Sequence, residues 1–196
     1  MKRLMLATIA LFGFSFVSTL SAQNADYFSH DLLVEDLKGN VAKVEYIEEY
    51  GVTTKSYDAK GRLIPNGLTI KRDSQNRIVS IEDLTDPVGY GEYYFYHDNG
   101  WLAEKKFWGG DAEGADAYYY SVDSDGNMYL SFVSQGLISG DGEYHTSISY
   151  AIIERDHKGN WIKRRAEYET KYETVIPDSN RTYTNTVVET RRITYR

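Results

Sequence analysis

Apolar and polar residues alternate along much of this chain. In VAKVEYIEEY (residues 41–50), Val41, Lys43, Glu45 and Ile47 would share one face, with Ala42, Val44, Tyr46 and Glu48 on the other. A period of two is the mark of a strand with differing faces. RIVSIED, YGEYYFYH, AYYYSV, MYLSFV, TSISYAII and WIKRRAEYETKYETV carry the same bias towards β-branched and aromatic residues. The Thr-rich ending TYTNTVVETRRITYR is extended too, and is predicted to pair with the strand after Trp161 through a turn at IPDSN, residues 176–180. Only DYFSHDLLVEDL (residues 26–37) has helical spacing, with Phe28, Leu32 and Leu33 clustered for a short N-terminal helix.

Between these stretches one pattern recurs six times: EDLKGNV (35–41), YDAKGRL (57–63), RDSQNRI (72–78), YHDNGWL (96–102), VDSDGNM (122–128) and RDHKGNW (155–161). The second residue is Asp in every copy but one, where it is His97. The fifth is Gly39, Gly61, Asn76, Gly100, Gly126 or Gly159. A hairpin loop built on a type I turn needs a residue of positive φ directly after it. Gly adopts that conformation without a Cβ clash, and Asn is among the most tolerant alternatives. An Asp at the start accepts hydrogen bonds from the turn amides. The six positions are unevenly spaced, unlike a strict solenoid. The reading is therefore all-β: an antiparallel meander of stacked β-hairpins.

YDAKGRL, RDSQNRI and YHDNGWL resemble the YD-repeat of the RHS family, whose units run Tyr-Asp-x-x-Gly-Arg-Leu. The ending DHKGNWIKR with RRITYR is similar to small exported RHS-repeat-like proteins of Bacteroidetes type. The likeness covers about residues 35–196 in short, degenerate units. It implies an all-β, secreted or periplasmic protein and supplies no catalytic residue. The long shells of that family need many more repeats than this chain contains.

Composition adds location. Lys2 and Arg3, the apolar run Leu4 to Val17 and the small residues of STLSAQ read as a signal peptide over residues 1–22, with residues 23–196 as one domain. The apolar run is short of the about 20 residues that cross a bilayer. Gln23 stands where a lipoprotein would have its lipid-bearing Cys, so a periplasmic or extracellular protein without a lipid anchor is expected. The chain has 22 basic and 29 acidic residues, a net charge of −7. Losing Lys2 and Arg3 makes the remainder more acidic, which disfavours nucleic acid and anionic membranes as partners. With no Cys, thiol catalysis and thiolate metal sites are excluded.

The candidate sites are few. Asp156 and His157 invite a catalytic reading, yet Asp156 occupies the turn's Asp column and His157 a variable loop tip. There is also no nucleophile-elbow motif beside them. His30, His97, His145 and His157 lack metal-ligand spacing. Asp123, Asp125 and Asn127 imitate the start of a calcium loop, but Ser134 stands where the bidentate Glu belongs. GGDAEGADA (109–117), acidic and Gly-rich, reads as a mobile connection. Tyr94, Tyr96, Trp101 and Trp108 are the candidate binding residues, as an exposed aromatic platform.

No catalytic residue, metal ligand or cofactor is assigned from the sequence. The expectation is a non-catalytic module that binds a protein through a sheet face or edge. A glycan on the Tyr and Trp cluster is the alternative, and a hydrolase using two carboxylates the third reading.

Overall fold

The computed structural model describes residues 27–83, 85, 87–124, 126–140, 142–173 and 180–196. The expected signal segment, Asp125 and residues 176–179 of the expected last turn lie outside them. Among the described residues one short helix, α1 (His30–Val34), precedes eleven strands: β1 (Val41–Glu48), β2 (Gly51–Ser56), β3 (Thr69–Arg72), β4 (Ile78–Asp83), β5 (Tyr90–Tyr96), β6 (Leu102–Gly109), β7 (Ala112–Val122), β8 (Met128–Ser139), β9 (Gly142–Arg155), β10 (Trp161–Glu173) and β11 (Arg181–Tyr195). The protein is all-β, one antiparallel sheet in the order β2-β1-β11-β10-β9-β8-β7-β6-β5-β4-β3. The meander runs from β3 to β11. The first hairpin then joins beside the last strand, through pairs such as Val44 with Ile193.

That order forces curvature. Edge strands β2 and β3 are consecutive in the chain, and the connection from Ser56 to Thr69 reaches at most about 47 Å when fully extended. A flat sheet of this many strands would be about 48 Å wide. The connection also contains a tight turn, so the sheet curls until its edges approach. β2 and β5 accordingly face each other across one interior, where Lys55 and Glu92 line the same cavity.

Five of the six repeated turns have one hydrogen-bond pattern. In each, the Gly or Asn amide donates to the carbonyl of the Asp or His three residues before it. That Asp or His amide donates to the carbonyl four residues on, as in Gly159 N to Asp156 O at 3.0 Å and Asp156 N to Asn160 O at 2.8 Å. All six Gly or Asn positions have positive φ, from 64° at Asn76 to 89° at Gly100. The first copy departs from expectation. Residues 35–41 close a helix instead of a hairpin: Asp36 takes φ 48°, and Leu37 N donates to Leu32 O. The cause is the upstream α1, capped by the Ser29 side chain, which occupies the place where a hairpin would have its first strand.

Antiparallel alternation puts the repeated turns at one end of the curled sheet. There α1 and its flanks form a plug. Leu32, Leu37, Val41, Val44 and Tyr57 make the core beneath it, with Ile193 and Tyr195 packed alongside. Simple alternation would put Val41 and Val44 on opposite faces. A register shift between Val41 and Lys43 turns both into this core. A second apolar cluster, Val133, Ile148 and Ala166, lies across β8 to β10. Among the described residues no helix is long and apolar enough to cross a membrane.

Candidate functional site

The plug is held by polar groups that sequence spacing does not connect. Asp31, 3 % exposed, receives both Arg72 terminal nitrogens at 2.7 and 2.6 Å and the Leu63 amide at 2.6 Å. This bidentate pair ties α1 to the edge strand β3. Asn160 accepts from Lys38 N at 2.6 Å and donates to Lys38 O at 3.1 Å, joining the last turn to the first copy. The buried Arg191 donates to Trp161 O, Glu35 O and Asp36 O, so its guanidinium satisfies carbonyls at the helix end. It also lies 3.9 Å from the Trp161 ring centre.

Above the plug the curled sheet encloses a cavity of about 410 Å³, reached by side chains from β1, β2 and β5 to β11. Glu48 and Thr53, at the end away from α1, also line it and are exposed, so the cavity opens there. Its walls are hydrogen-bonding groups and rings. On one side Glu35 accepts from Lys55 at 2.6 Å and from the Tyr46 hydroxyl at 2.8 Å. Those partners outweigh burial and hold the Glu35 pKa below its usual value, whereas burial and Glu35 push the Tyr46 phenol well up.

On the opposite side, Glu92 accepts from Tyr90 at 2.5 Å, from Lys105 at 3.1 Å and from Tyr94. Lys105 also lies 3.4 Å from Asp116 Oδ2, which the Tyr118 hydroxyl approaches at 3.3 Å. Burial pulls both carboxyl pKa values upward. In Glu92 it is overcome by Lys105 and the two tyrosines, giving a lowered pKa, and in Asp116 it prevails, giving a raised one. Asp116 is 3 % exposed, and its Oδ1 is buried without a hydrogen bond. Between these walls Arg164 is sandwiched, 3.8 Å from the Tyr150 ring centre and 4.2 Å from that of Trp161, with its Nε on Glu189 at 2.6 Å.

The four aromatic residues singled out from the sequence do not share a surface. Tyr94 faces the cavity. Tyr96 stacks edge-on with His30 and donates to Ile78 O at 2.6 Å. Trp101 is 1 % exposed, between Tyr27 and Tyr120 at the plug. Trp108 alone is exposed, and it lies over Gly91, where a Cβ would come within 2.6 Å of its Nε1. Pairing and curvature dispersed the expected platform: Tyr94 and Tyr96 share a strand face, but Trp101 sits on the turn and Trp108 on the far side of β6.

The expected mobile connection, residues 109–117, is corrected as well. Only Gly110 and Asp111 form a turn, and β7 begins at Ala112. Gly114, Asp116, Tyr118 and Tyr120 alternate there, so the period-two signal was present but masked by the Gly and Ala between strong strand formers. Gly114 is required by close approach, because a Cβ would stand 2.3 Å from Gly136 O.

Asp156 accepts from the Lys158 and Asn160 amides at 2.9 and 3.0 Å and from the Tyr195 hydroxyl, so it caps its turn. His157 is exposed against the edge of Tyr195. Asp123 accepts from the Asn127 amide at 2.8 Å and from Arg155 at 3.1 Å, the pattern of a turn cap. His30 donates from Nε2 to Gly100 O at 2.9 Å, and burial lowers its pKa. His145 joins Glu143 and Glu173 on β9 and β10, their ligand atoms within 4.8 Å of one another, all on exposed residues. In comparisons with known proteins, no family matches the chain, and no curated protein matches it.

Proposed function

We propose that this chain is an exported, non-catalytic binding module whose ligand lodges inside the curled sheet. The observation that carries the reading is the interior itself. Small curled sheets either fill their centre with side chains or hold one small ligand there. Here about 410 Å³ remains open to solvent and is walled by tyrosines and charged groups, within the size range of small-molecule sites. Export rests on the signal-like residues 1–22, and kinship with YD-repeat proteins on the five turns of one pattern. Protein binding at the edge of β2 remains compatible with the fold, but the cavity supplies a defined set of recognition groups.

A hydrolase reading has one observation in its favour: Asp116 is pushed towards its neutral form while Glu92 is held ionised, as an acid and base would require. The Lys105 ammonium stands between them, 3.1 and 3.4 Å away, where a scissile oxygen or attacking water would have to sit. That arrangement suits holding charge better than cleaving a bond.

The test uses the cavity mouth. Thr53 is exposed at the rim, so Thr53→Trp should leave the thermal midpoint within a few degrees and obstruct entry. Incubating each protein with a small-molecule extract, followed by gentle recovery and mass spectrometry, should return a retained compound from the wild type alone. Equal recovery from both, or none from the wild type, would sink the proposal.

A further inference from the structure

The cavity contains one group whose chemistry is unfinished. Asp116 Oδ1 is buried without a direct hydrogen bond, which is costly for an acceptor; the Gln135 side chain, opposite it on β8, favours the ionised carboxylate but does not outweigh burial. Its Oδ2 shares Lys105 with Glu92, so two carboxylates depend on one ammonium, which lies nearer to Glu92. This wall therefore carries an excess negative charge. On the other walls Lys55 is matched by Glu35 and Arg164 by Glu189. The buried Arg191 faces the Glu35 and Asp36 carbonyls, and the Asp36 carboxylate is among its electrostatic neighbours. Glu48 at the open rim is solvent-exposed, so among the described buried carboxylates of the cavity the shortage of positive charge falls beside Asp116.

The aromatic groups fit the same ligand chemistry. Tyr94 and Tyr118, on β5 and β7, place rings on either side of the Lys105 strand and line the cavity with Asp116. Cations are attracted to such ring faces, and this chain already sets Lys105 by Phe107 and Lys55 by Tyr46, each 5.8 Å from the ring centre. Neutral sugars would gain hydrogen bonds here and leave the charge deficit in place.

We propose that the ligand of this cavity carries an ammonium group, which binds Asp116 while Lys105 shifts fully onto Glu92. The lysine stem is flexible enough for that displacement, and Glu92 retains Tyr90, Tyr94 and Lys105 as donors throughout. The inference rests on the cavity reading above and names the chemistry of its occupant.

Matched probes of one shape separate charge from fit. The whole protein is titrated with n-butylammonium and with 1-butanol, followed by amide chemical shifts and calorimetry. The ammonium should bind at least about tenfold more tightly, the scale of one charged hydrogen bond. Asp116→Asn should abolish that preference, with Glu92 still available to pair Lys105. Lys105→Met acts in the opposite direction: it removes the resident competitor, so butylammonium should bind more tightly and raise the thermal midpoint of this variant more than that of the wild type.

Equal binding of the two probes to the wild type would overturn the ammonium assignment and leave the cavity reading intact. So would a preference that survives Asp116→Asn, or no ammonium binding at tens of millimolar while the wild type still retains a compound that Thr53→Trp does not. Failure of every probe, together with no retained compound from the extract, would remove the cavity reading as well.

Discussion

At Gly159 the backbone has φ 82°, and a Cβ placed there would meet nothing nearer than Lys38 Nζ at 3.9 Å. Space is available, so the constraint is conformational: a β-branched residue is a strong outlier in this region. Gly159→Val should cost about 2 kcal/mol, by the left-handed penalty for L-residues. His157, two residues earlier, is exposed with only an edge contact to Tyr195, and His157→Ala should stay within about 0.5 kcal/mol. Urea unfolding of the two variants checks this contrast, and equal losses would refute it. The same residues show what local chemistry made legible. Asp, Gly and Asn columns announced the turns because φ and side-chain reach are decided within five residues. The unpaired Asp116 was not legible, because its environment is assembled from β6 and β8 as well as its own strand.

The helix and its flanks form an element whose importance far exceeds its length. A helix of His30–Val34 is too short to persist alone. It is ordered by Asp31 on Arg72, His30 on Gly100 and Arg191 on its final carbonyls. Removing one partner of a buried pair leaves the other desolvated and unpaired, so Asp31→Ala should cost about 3 kcal/mol. Hydrogen exchange should show the loss first in amides of residues 30–38 and the 61–63 segment, where Leu63 N loses its acceptor. Uniform exchange across the sheet would show that the plug is not a separable unit. Leu32 and Leu33, both buried, marked the helix by their spacing, whereas Phe28, expected with them, precedes it and is exposed. Its role as a plug was not readable, because Arg72 and Arg191 lie 41 and about 160 residues further along the chain.

For the whole molecule, carboxylates set the response to acid. At Asp58, burial opposes ionisation, but the Arg62 and Lys60 amides and the Arg62 guanidinium bring the pKa down to about 2. Asp73 is lowered by the Arg77 amide and guanidinium against burial. Burial likewise opposes the lowering at Asp156, where the Tyr195 hydroxyl and two turn amides prevail. A depressed pKa contributes stability above the unfolded value near 4, and loses it as pH falls through the folded value. Asp116 has the opposite sign: its raised pKa means that protonation on acidification favours the folded state. Stability should therefore fall most steeply between about pH 4 and pH 2. Asp116→Asn should lose more over the whole acid range, since its compensating proton uptake is gone. Urea midpoints measured from pH 7 to pH 2 check both statements, and a wild-type midpoint that does not fall below pH 4 contradicts them.

By itself the sequence determined most of the longer strands, the short helix and five of the six repeated turns, because each depends on side-chain alternation or on φ within a few residues. The short strands β2 and β3 and the start of β7 were not marked by it. Tertiary structure decided the rest. The β2–β3 connection curled the sheet, a register shift brought Val41 and Val44 to one core, and the hairpin of β1 and β2 closed onto β11. Those choices also dispersed the aromatic residues and placed Glu92, Lys105 and Asp116 within reach of one another. Pairing between distant strands sets which side chains share an interior, and no local pattern encodes that.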